Sequence, residues 1–600
     1  MMAQVGILAG NGRGRLRQGG AVRRDDGTDQ DRPATLLDGL RALPRDVLRE
    51  RLRAAVLRVL PFSPPARPRA YAAPRLLPPD PWPGDAAAGQ RLLDGTFVLA
   101  GQRIVDPMPF WRPSTASPDW LRDLHSFAWL RDLRALGGDA ARRFARDRVE
   151  DWLQNHRGTR GLPGEAVVVA RRLSHWFGQY DFFASSADVI YRERLLTAAR
   201  RQTAWLALQL PAGLRGADLT CGLRGLIFAG ACLPDGDPWL EQGLDLLVEA
   251  LPHQILPDGG HVERSPARHV AALRDLIDLR SVLHAAGRPP LDDLDVAIES
   301  MAPVLRLFLH GDGGLAHFNG SNSEDPDKIA LVLQRVSRRR PRQTAPQSGF
   351  QRVQHGRALL LVDAGVPAPP DCDRQAHAGT LSLELGVGRE RLIVNCGSQQ
   401  GGPWRDLLRG TAAHSTLCLA ETNSSHVAPA SDWGPGLFRR PEKVTCRREA
   451  LEDGTLLELS HDGYLPLFGL IHQRRLLLSA AGDSLLGEDA LITKGQPPEG
   501  AVAFAIRFHL HPGVQAALSA GTVLLRLPRG GGWRLRCEGA VAELDDSVYF
   551  GTGRPQRSSQ IVLHGHHVGE DLCVRWLLQR EAPNRGAEEA AERDNRLQLD

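Results

Sequence analysis

The chain lacks most of what would tie it to a metal, a membrane or a nucleic acid. Its eight cysteines, at 221, 232, 372, 396, 418, 446, 537 and 573, are widely spaced and form no CxxC pair, so free thiols are expected in place of a zinc knuckle or a disulfide framework. No apolar run approaches the length of a bilayer crossing. Met1 to Thr28 carries Arg and Gly but no apolar core of the signal-peptide kind; taken literally this gives a cytoplasmic protein, or a periplasmic one if the start codon is misassigned. Neither sign of charge is in excess, with 74 basic residues against 70 acidic ones and a net +4, so bulk electrostatics make no case for nucleic acid. Tyrosine is scarce as well: only positions 71, 180, 191, 464 and 549 carry one.

What is present is ample apolar material, 42% of 600 residues, too much chain for one core, so two or three domains are expected. The basic residues are almost all arginine. That suits bidentate recognition of carboxylates or sulfates, although codon usage in a GC-rich genome accounts for it without any ligand.

Residues 1–35 are polar and Gly/Arg/Asp-rich, and read as a disordered tail. In 36–118 an amphipathic helix is predicted from Leu40, Leu43, Val47, Leu48, Leu52 and Val56, followed by a proline-dense arm over Pro61–Pro83 that excludes regular helix. From 119 to 340 the period is helical nearly throughout: Trp120–Leu130, Ala140–Asn155, Pro163–Gly178, Arg192–Leu210, Leu219–Leu233, Pro238–Leu251, Val270–Ala286, Leu291–Leu309 and Asp325–Arg340. Short links between consecutive helices imply helix-on-helix packing in a curved or closed array rather than a sheet. Between 349 and 580 the period changes to short strands, among them Ala358–Asp363, Thr380–Leu385, Arg391–Asn395, Ser415–Leu419 and Thr455–Ser460, separated by Gly-rich turns. This predicts an antiparallel β-sandwich. Residues 581–600 form a charged tail.

One stretch concentrates chemistry. Leu256-Pro-Asp-Gly-Gly-His-Val-Glu-Arg-Ser-Pro-Ala-Arg-His269 gathers two histidines, two arginines and a carboxylate where a loop meets a predicted helix, and loops on rigid scaffolds are where sites gather. The alternative is a solvated connection followed by a capped helix.

Asp258-Gly-Gly-His261 with Glu263-Arg-Ser-Pro266, then His317-Phe-Asn-Gly320, Ala376-His-Ala-Gly-Thr-Leu-Ser382 and Ala413-His-Ser-Thr-Leu417, taken as a set over roughly residues 95–580, resemble the heparinase II/III family. The resemblance implies an incomplete (α/α) toroid carrying a sugar-binding groove, a C-terminal antiparallel β-sandwich contributing to the site, and β-elimination on a uronate-containing polysaccharide. Elimination needs a neutraliser for the uronate carboxylate, a base at C5 and an acid for the leaving oxygen. Where the family usually places a tyrosine, followed by histidine, this chain has Arg268 and then His269, and none of its tyrosines falls in the motif. Arginine does not readily transfer a proton near neutral pH.

The remaining candidates are histidines, which titrate near neutrality. His261 and His414 are expected to face each other across the groove as the proton-transfer pair, with His269 beside them, Arg264 as the leading anion clamp and Arg268 second. Glu263, Asn319, Trp111, Trp176 and Arg172 are candidate substrate contacts, while Trp129 and Trp152 read as helix core. Metal-binding relatives resemble His-x-His-x-Asp, a later Asp and a later His; here the matching positions are Gln375, His377 and Gly379, then Asn395, then His414. Two histidines and an amide make a sparse set for zinc or calcium, so no cofactor is expected. The sequence therefore predicts a polysaccharide lyase acting on an acidic glycan, with a homodimer compatible with the chain. The alternative is a non-catalytic glycan-binding or surface-polysaccharide assembly protein on the same fold. A hydrolase would need paired carboxylates, and Glu263 has no evident partner in the sequence.

Overall fold

Several helix starts in this chain follow from capping side chains. In a computed structural model, residues 71–156, 161–323, 325–429, 436–496 and 500–581 are described, with isolated positions between 45 and 56. The predicted tails 1–35 and 582–600, most of the predicted helix before residue 60 and the arm over 61–70 lie outside the described residues. Asp85 accepts from the N–H groups of Ala87 and Ala88 to open α1 (Ala86–Leu93), and a hairpin of β1 (Thr96–Leu99) and β2 (Gln102–Val105) follows. Ser117 caps α2 (Pro118–Ser126), which has proline in its first turn. The single helix expected over Trp120–Leu130 is two helices, because Phe127 takes a left-handed conformation (φ 60°) before α3 (Leu130–Leu136). The Phe127 ring is buried against Trp111, Trp129, Trp152 and Trp176, and that packing overrides local helix propensity.

The series continues as α4 (Gly138–Asn155), α5 (Ala166–Gly178), α6 (Tyr180–Phe183), α7 (Val189–Gln209), α8 (Gly216–Cys232), α9 (Asp237–Gln254), α10 (Pro266–Ala285), α11 (Asp292–Leu307) and α12 (Pro326–Leu333). Helix α8 is buried along nearly its whole length and packs against α5, α7, α9 and α10, as expected of a helix apolar on every face. A Cβ at Gly225 would lie 2.4 Å from Ala170 Cα, so glycine there sets the α5–α8 approach. The helix expected to run to Arg340 stops at Leu333.

The described part of the proline-rich arm is strapped to the helices by side chains. Arg75 donates to the carbonyls of Gly230 and Ala231 at the end of α8, where a helix dipole favours a cation. Asp80 pairs with Arg131 at 2.7 Å. Trp82 donates to Asp278 at 2.6 Å and lies under both Arg274 and Arg335. No helix among the described residues is long and apolar enough to cross a membrane.

The sandwich contains β3 (Thr344–Ala345), β4 (Phe350–His355), β5 (Ala358–Asp363), β6 (Leu383–Val387), β7 (Glu390–Val394), β8 (Leu417–Leu419), β9 (His426–Val427), β10 (Leu437–Arg439), β11 (Val444–Leu451), β12 (Gly454–His461), β13 (Leu470–Ser479), β14 (Ser484–Thr493), β15 (Val502–Leu510), β16 (Gln515–Ser519), β17 (Thr522–Arg526), β18 (Gly532–Glu538), β19 (Val541–Tyr549), β20 (Gln556–His567) and β21 (Leu572–Arg580). One sheet runs β19-β20-β15-β7-β6-β5-β4-β3, with β8 on β15, and the other β11-β12-β13-β14-β21-β18-β17-β16; their strand pairs are antiparallel. The unbroken apolar run of β5 has a structural cause. Leu360 and Val362 face the sandwich core, while Leu359 and Leu361 belong to the core of the helical part, so this strand is covered on both faces.

A charged group lies within the sandwich core. Asp489 accepts from both sides of the Arg474 guanidinium, from His472 and from Trp576, all of them buried. Arg474 also donates to the carbonyls of Leu381 and Ser415, fixing the left-handed turn at Leu381 (φ 63°). Arg474→Ala is expected to lower stability by roughly 3–5 kcal/mol, since it strands Asp489 as a buried unpaired charge. In urea unfolding the exposed-pair control Arg557→Ala should change stability by no more than about 1 kcal/mol.

Candidate functional site

The loop before α10 is pinned at both ends to the sandwich. Gly259 adopts φ 85°, and a Cβ there would lie 2.0 Å from the Ser300 carbonyl oxygen, so the turn admits only glycine. Asp258 accepts from Gly260 N–H and from the backbone and hydroxyl of Ser348. Arg264, also left-handed at φ 53°, donates to the carbonyls of Ser348 and Gly349 and to Asp363 at 2.5 Å, with its guanidinium 5.0 Å from the centre of the Phe350 ring. Asn319 completes the junction, donating to Arg264 O and to Asp363 while accepting from His377 N–H. The expected anion clamp is therefore a buried bolt between the two parts of the chain: Nε and Nη2 of Arg264 are directed at the sandwich, and the side chain is only 5% exposed.

Arg268, at the tyrosine place of the motif, is held just as firmly. It donates to Glu263 at 2.6 Å and to Asp218 at 2.6 Å, and Glu263 also accepts from Ala217 N–H at the start of α8. Burial alone would favour the neutral form, but the two carboxylates hold the guanidinium charged. Glu263 is thus the partner of Arg268 rather than a substrate contact; the ion pair links the loop to α8 and α10.

His261 and His269 do not sit in an open groove. Both are buried. His269 Nε2 donates to Met301 O, leaving Nδ1 without a partner, and His261 Nδ1 accepts from Glu263 N–H, leaving Nε2 without one among the described residues. Burial pushes His269 down to about 4 and His261 well below the ordinary histidine value, so both rings are neutral near pH 7. Nor is His414 paired with His261. It hydrogen-bonds His377 instead, Nε2 to Nδ1 at 3.0 Å.

The direction of that bond follows from its far end. His414 Nδ1 donates to Gly410 O at 2.7 Å, so its Nε2 is the acceptor and His377 Nδ1 the donor, which leaves His377 Nε2 with a lone pair. Burial lowers both rings, His414 to about 4. The expected metal set fails on the same geometry. The two histidine nitrogens bond each other, and Asn395 spends its amide on Ser415 N–H and Glu384. Gly379 stands so close that a Cβ would lie 2.6 Å from the His414 ring. Among the described residues no three His, Cys, Asp or Glu side chains are placed to hold a metal ion, and these residues do not fit zinc or calcium.

The aromatic subsites expected in the helical part are core. Trp111 and Trp176 are buried; Trp111 donates to Asp151 and stacks on His125. Arg172 is 1% exposed, bonds Gln202, His125 O and Pro163 O, and lies 4.3 Å from the centre of the Trp152 ring. These three side chains build the wall and do not reach its surface.

A buried hub at the junction escaped the sequence reading. Glu384 accepts from His310 Nε2 at 2.7 Å, from the backbone of His317 and Asn395, and from the Asn395 amide. Beside it Arg391 pairs with Asp312 and donates to His317. The available signal was a lone acid inside the apolar run Leu381–Leu385, since a buried carboxylate is retained only where donors meet it. Burial by itself would raise this carboxyl, but His317, His310 and Arg391 outweigh it and bring it from 4.5 down to about 2.

A depressed folded-state value means that the stabilisation is complete above the unfolded-state value of 4.5 and is lost as pH falls towards about 2. Glu384→Gln should therefore cost on the order of 3 kcal/mol at neutral pH. In urea unfolding at graded pH, the gap between wild type and variant should hold from neutral to weakly acidic conditions and close across that acid window.

Residues 118–326 match the heparinase II/III N-terminus, and residues 337–577 match the heparinase II/III-like C-terminal family. FtsZ-localized protein C of Caulobacter vibrioides is 33% identical over 523 residues, covering 84% of this chain and 89% of that protein. Among solved structures, heparinase III overlaps 92% of each chain with a TM-score of 0.67 at 15% identity. The heparan sulfate lyase of Pedobacter heparinus covers 90% of this chain and 88% of its own, with a TM-score of 0.56 at 16% identity. The chondroitin AC lyase of Streptomyces coelicolor, solved with chondroitin sulphate, covers 91% and 84%, with a TM-score of 0.52 at 12% identity. At such identities the structures share a fold with this chain. Helices followed by an antiparallel sandwich, matched over both halves and along most of a curated relative, make this chain a member of the heparinase II/III-like family.

Proposed function

We propose that this chain is an acidic-glycan-binding protein that keeps the heparinase II/III fold without tyrosine-driven elimination. The observation that carries the reading is Arg268: at the tyrosine place stands a cation locked between Glu263 and Asp218, unable to take a proton from a sugar carbon near neutral pH. Arg264 supports the same reading, because a guanidinium satisfied by Asp363 and two carbonyls does not neutralise a uronate. Fold alone does not bring activity with it. The relative named FtsZ-localized protein C extends the proposal to place: this chain works in the cytoplasm, beside the FtsZ-based division machinery.

Elimination is the second reading, favoured by one specific observation. His377 Nε2 keeps a lone pair at the end of a chain running through His414 to Gly410 O, which is the arrangement of an oriented base. Because burial lowers the ring, such a base would stay unprotonated as pH falls through the ordinary histidine range.

The test is ultraviolet absorbance at the unsaturated-uronate band, with calorimetric binding on the same panel of acidic polysaccharides. We expect wild type to bind at least one uronate polymer with no growth of the band. Growth in wild type, lost in His377→Ala, would replace binding with elimination; absence of both binding and band growth would remove the glycan from the proposal. Co-sedimentation with FtsZ polymers tests the location, and protein remaining in the supernatant would overturn it.

A further inference from the structure

The outer face of the eight-stranded sheet that runs from β11 to β16 carries a pattern that its own strands do not explain. Reading across β11, β12, β13, β14, β21 and β18 by hydrogen-bonded register, one row is Arg447, Glu458, Arg475, Glu488, Arg575 and Glu538. The charges alternate across all six strands. The next row is Glu449, Leu456, Leu477, Leu486, Leu577 and Arg536, four leucines closed by an acid at one end and a base at the other. Leu486 is 46% exposed, and Leu456, Leu477 and Leu577 are partly exposed.

Cross-strand pairing accounts for part of the first row. Arg447 and Arg475 both pair with Glu458, at 3.5 and 3.2 Å, and Arg575 pairs with Glu488 at 3.2 Å, as opposite charges on facing strands do. It does not account for a leucine row left open to water in the middle of a sheet face, where alternation calls for polar residues.

Both rows are antisymmetric about the same line, the gap between β13 and β14. A two-fold axis lying along that gap sets each row against itself in reverse. Arg447 then meets Glu538 of a second copy, Glu458 meets Arg575, Arg475 meets Glu488 and Glu449 meets Arg536, while the leucines meet leucines. Every charge finds its opposite under one operation, which is what an isologous interface demands. A row with matching ends, or an odd number of alternating charges, would set like charges face to face.

We propose that this face is a homodimer interface, two eight-stranded sheets stacked back to back about an axis between β13 and β14, with the leucine row as its apolar centre and the alternating row as its register. The arrangement is aligned face-to-face sheet packing, and it leaves the helical part and the loop before α10 of each copy facing away from the other. It stands independently of the glycan reading.

The experiment is sedimentation velocity on the full chain over a dilution series. Wild type is expected to be a dimer. Leu486→Arg should raise the dimer dissociation constant at least roughly thirtyfold, the scale of a substitution at an interface centre, with an unchanged melting temperature because the side chain points outward. Glu449→Arg, partly exposed and paired within its own strand with Arg447, should weaken the dimer several-fold by facing Arg536 of the second copy. Combining it with Arg536→Glu should restore the wild-type constant to within about a factor of two. A monomeric wild type overturns the proposal, as does a dimer that ignores Leu486→Arg or a double variant no tighter than Glu449→Arg alone.

Discussion

Arg264 against Asp363 is the contact on which the relation between the two parts of the chain depends. A buried ion pair gains little net stability over an apolar pair of the same shape, yet losing one partner is expensive, so its value lies in permitting one docking and penalising others. Asn319 extends that control. Its amide bonds Arg264 O and Asp363, and its carbonyl receives His377 N–H, so one side chain sets the loop, strand β5 and the His377 turn together. Arg264 and Asn319 both hold positive φ values, 53° and 45°, a conformation that persists where surrounding bonds over-determine it.

The same economy of partners defines the chemistry. Positions that the resemblance assigned to substrate or metal are satisfied within the chain: Arg268 by Glu263 and Asp218, Arg264 by the sandwich, Asn395 by Glu384 and Ser415. The paired histidines occupy the place where relatives resemble a metal site, and a direct imidazole bond replaces coordination. A tyrosine put back at 268 would meet a carboxylate at Glu263 that had lost its counter-charge, so a single substitution does not return the site to the family pattern. Binding and elimination part company at the Nε2 lone pair of His377.

Charge is used in two ways in the sandwich. Inside, Asp489 and Glu384 are each surrounded by several donors, which makes them specific and costly to disturb. Outside, Arg and Glu alternate across the eight-stranded sheet in exposed pairs that each contribute little to stability, and their order matters more than their strength. An ordered ladder can select a partner orientation through like-charge penalties.

Much of the architecture was legible in the sequence. Helical period through α2–α12, strand period beyond residue 349 and four separated motif strings implied the order of parts and the family, because periodicity and turn residues act over a few neighbours. Strand β11 (Val444–Leu451), with Arg447 and Glu449 facing outward and Arg448 donating to the carbonyls of Gln343 and Arg352, gave no apolar run to read. Phe127 broke a helix that local period continued, because its ring was needed among tryptophans distant in sequence. The site was legible as a set of residues but not as a set of roles. Sequence by itself determined that the motif tyrosine was absent, and the resemblance to the family singled out His261, Arg264, Arg268, His377 and His414 as candidates. Only the tertiary structure decided that Arg264 would be spent on Asp363, 99 residues away, Arg268 on Asp218, 50 residues away, and His414 on His377. The reason is physical: a buried charge or imidazole takes its function from whichever partner desolvation brings to it, and that partner is chosen by packing across the whole chain.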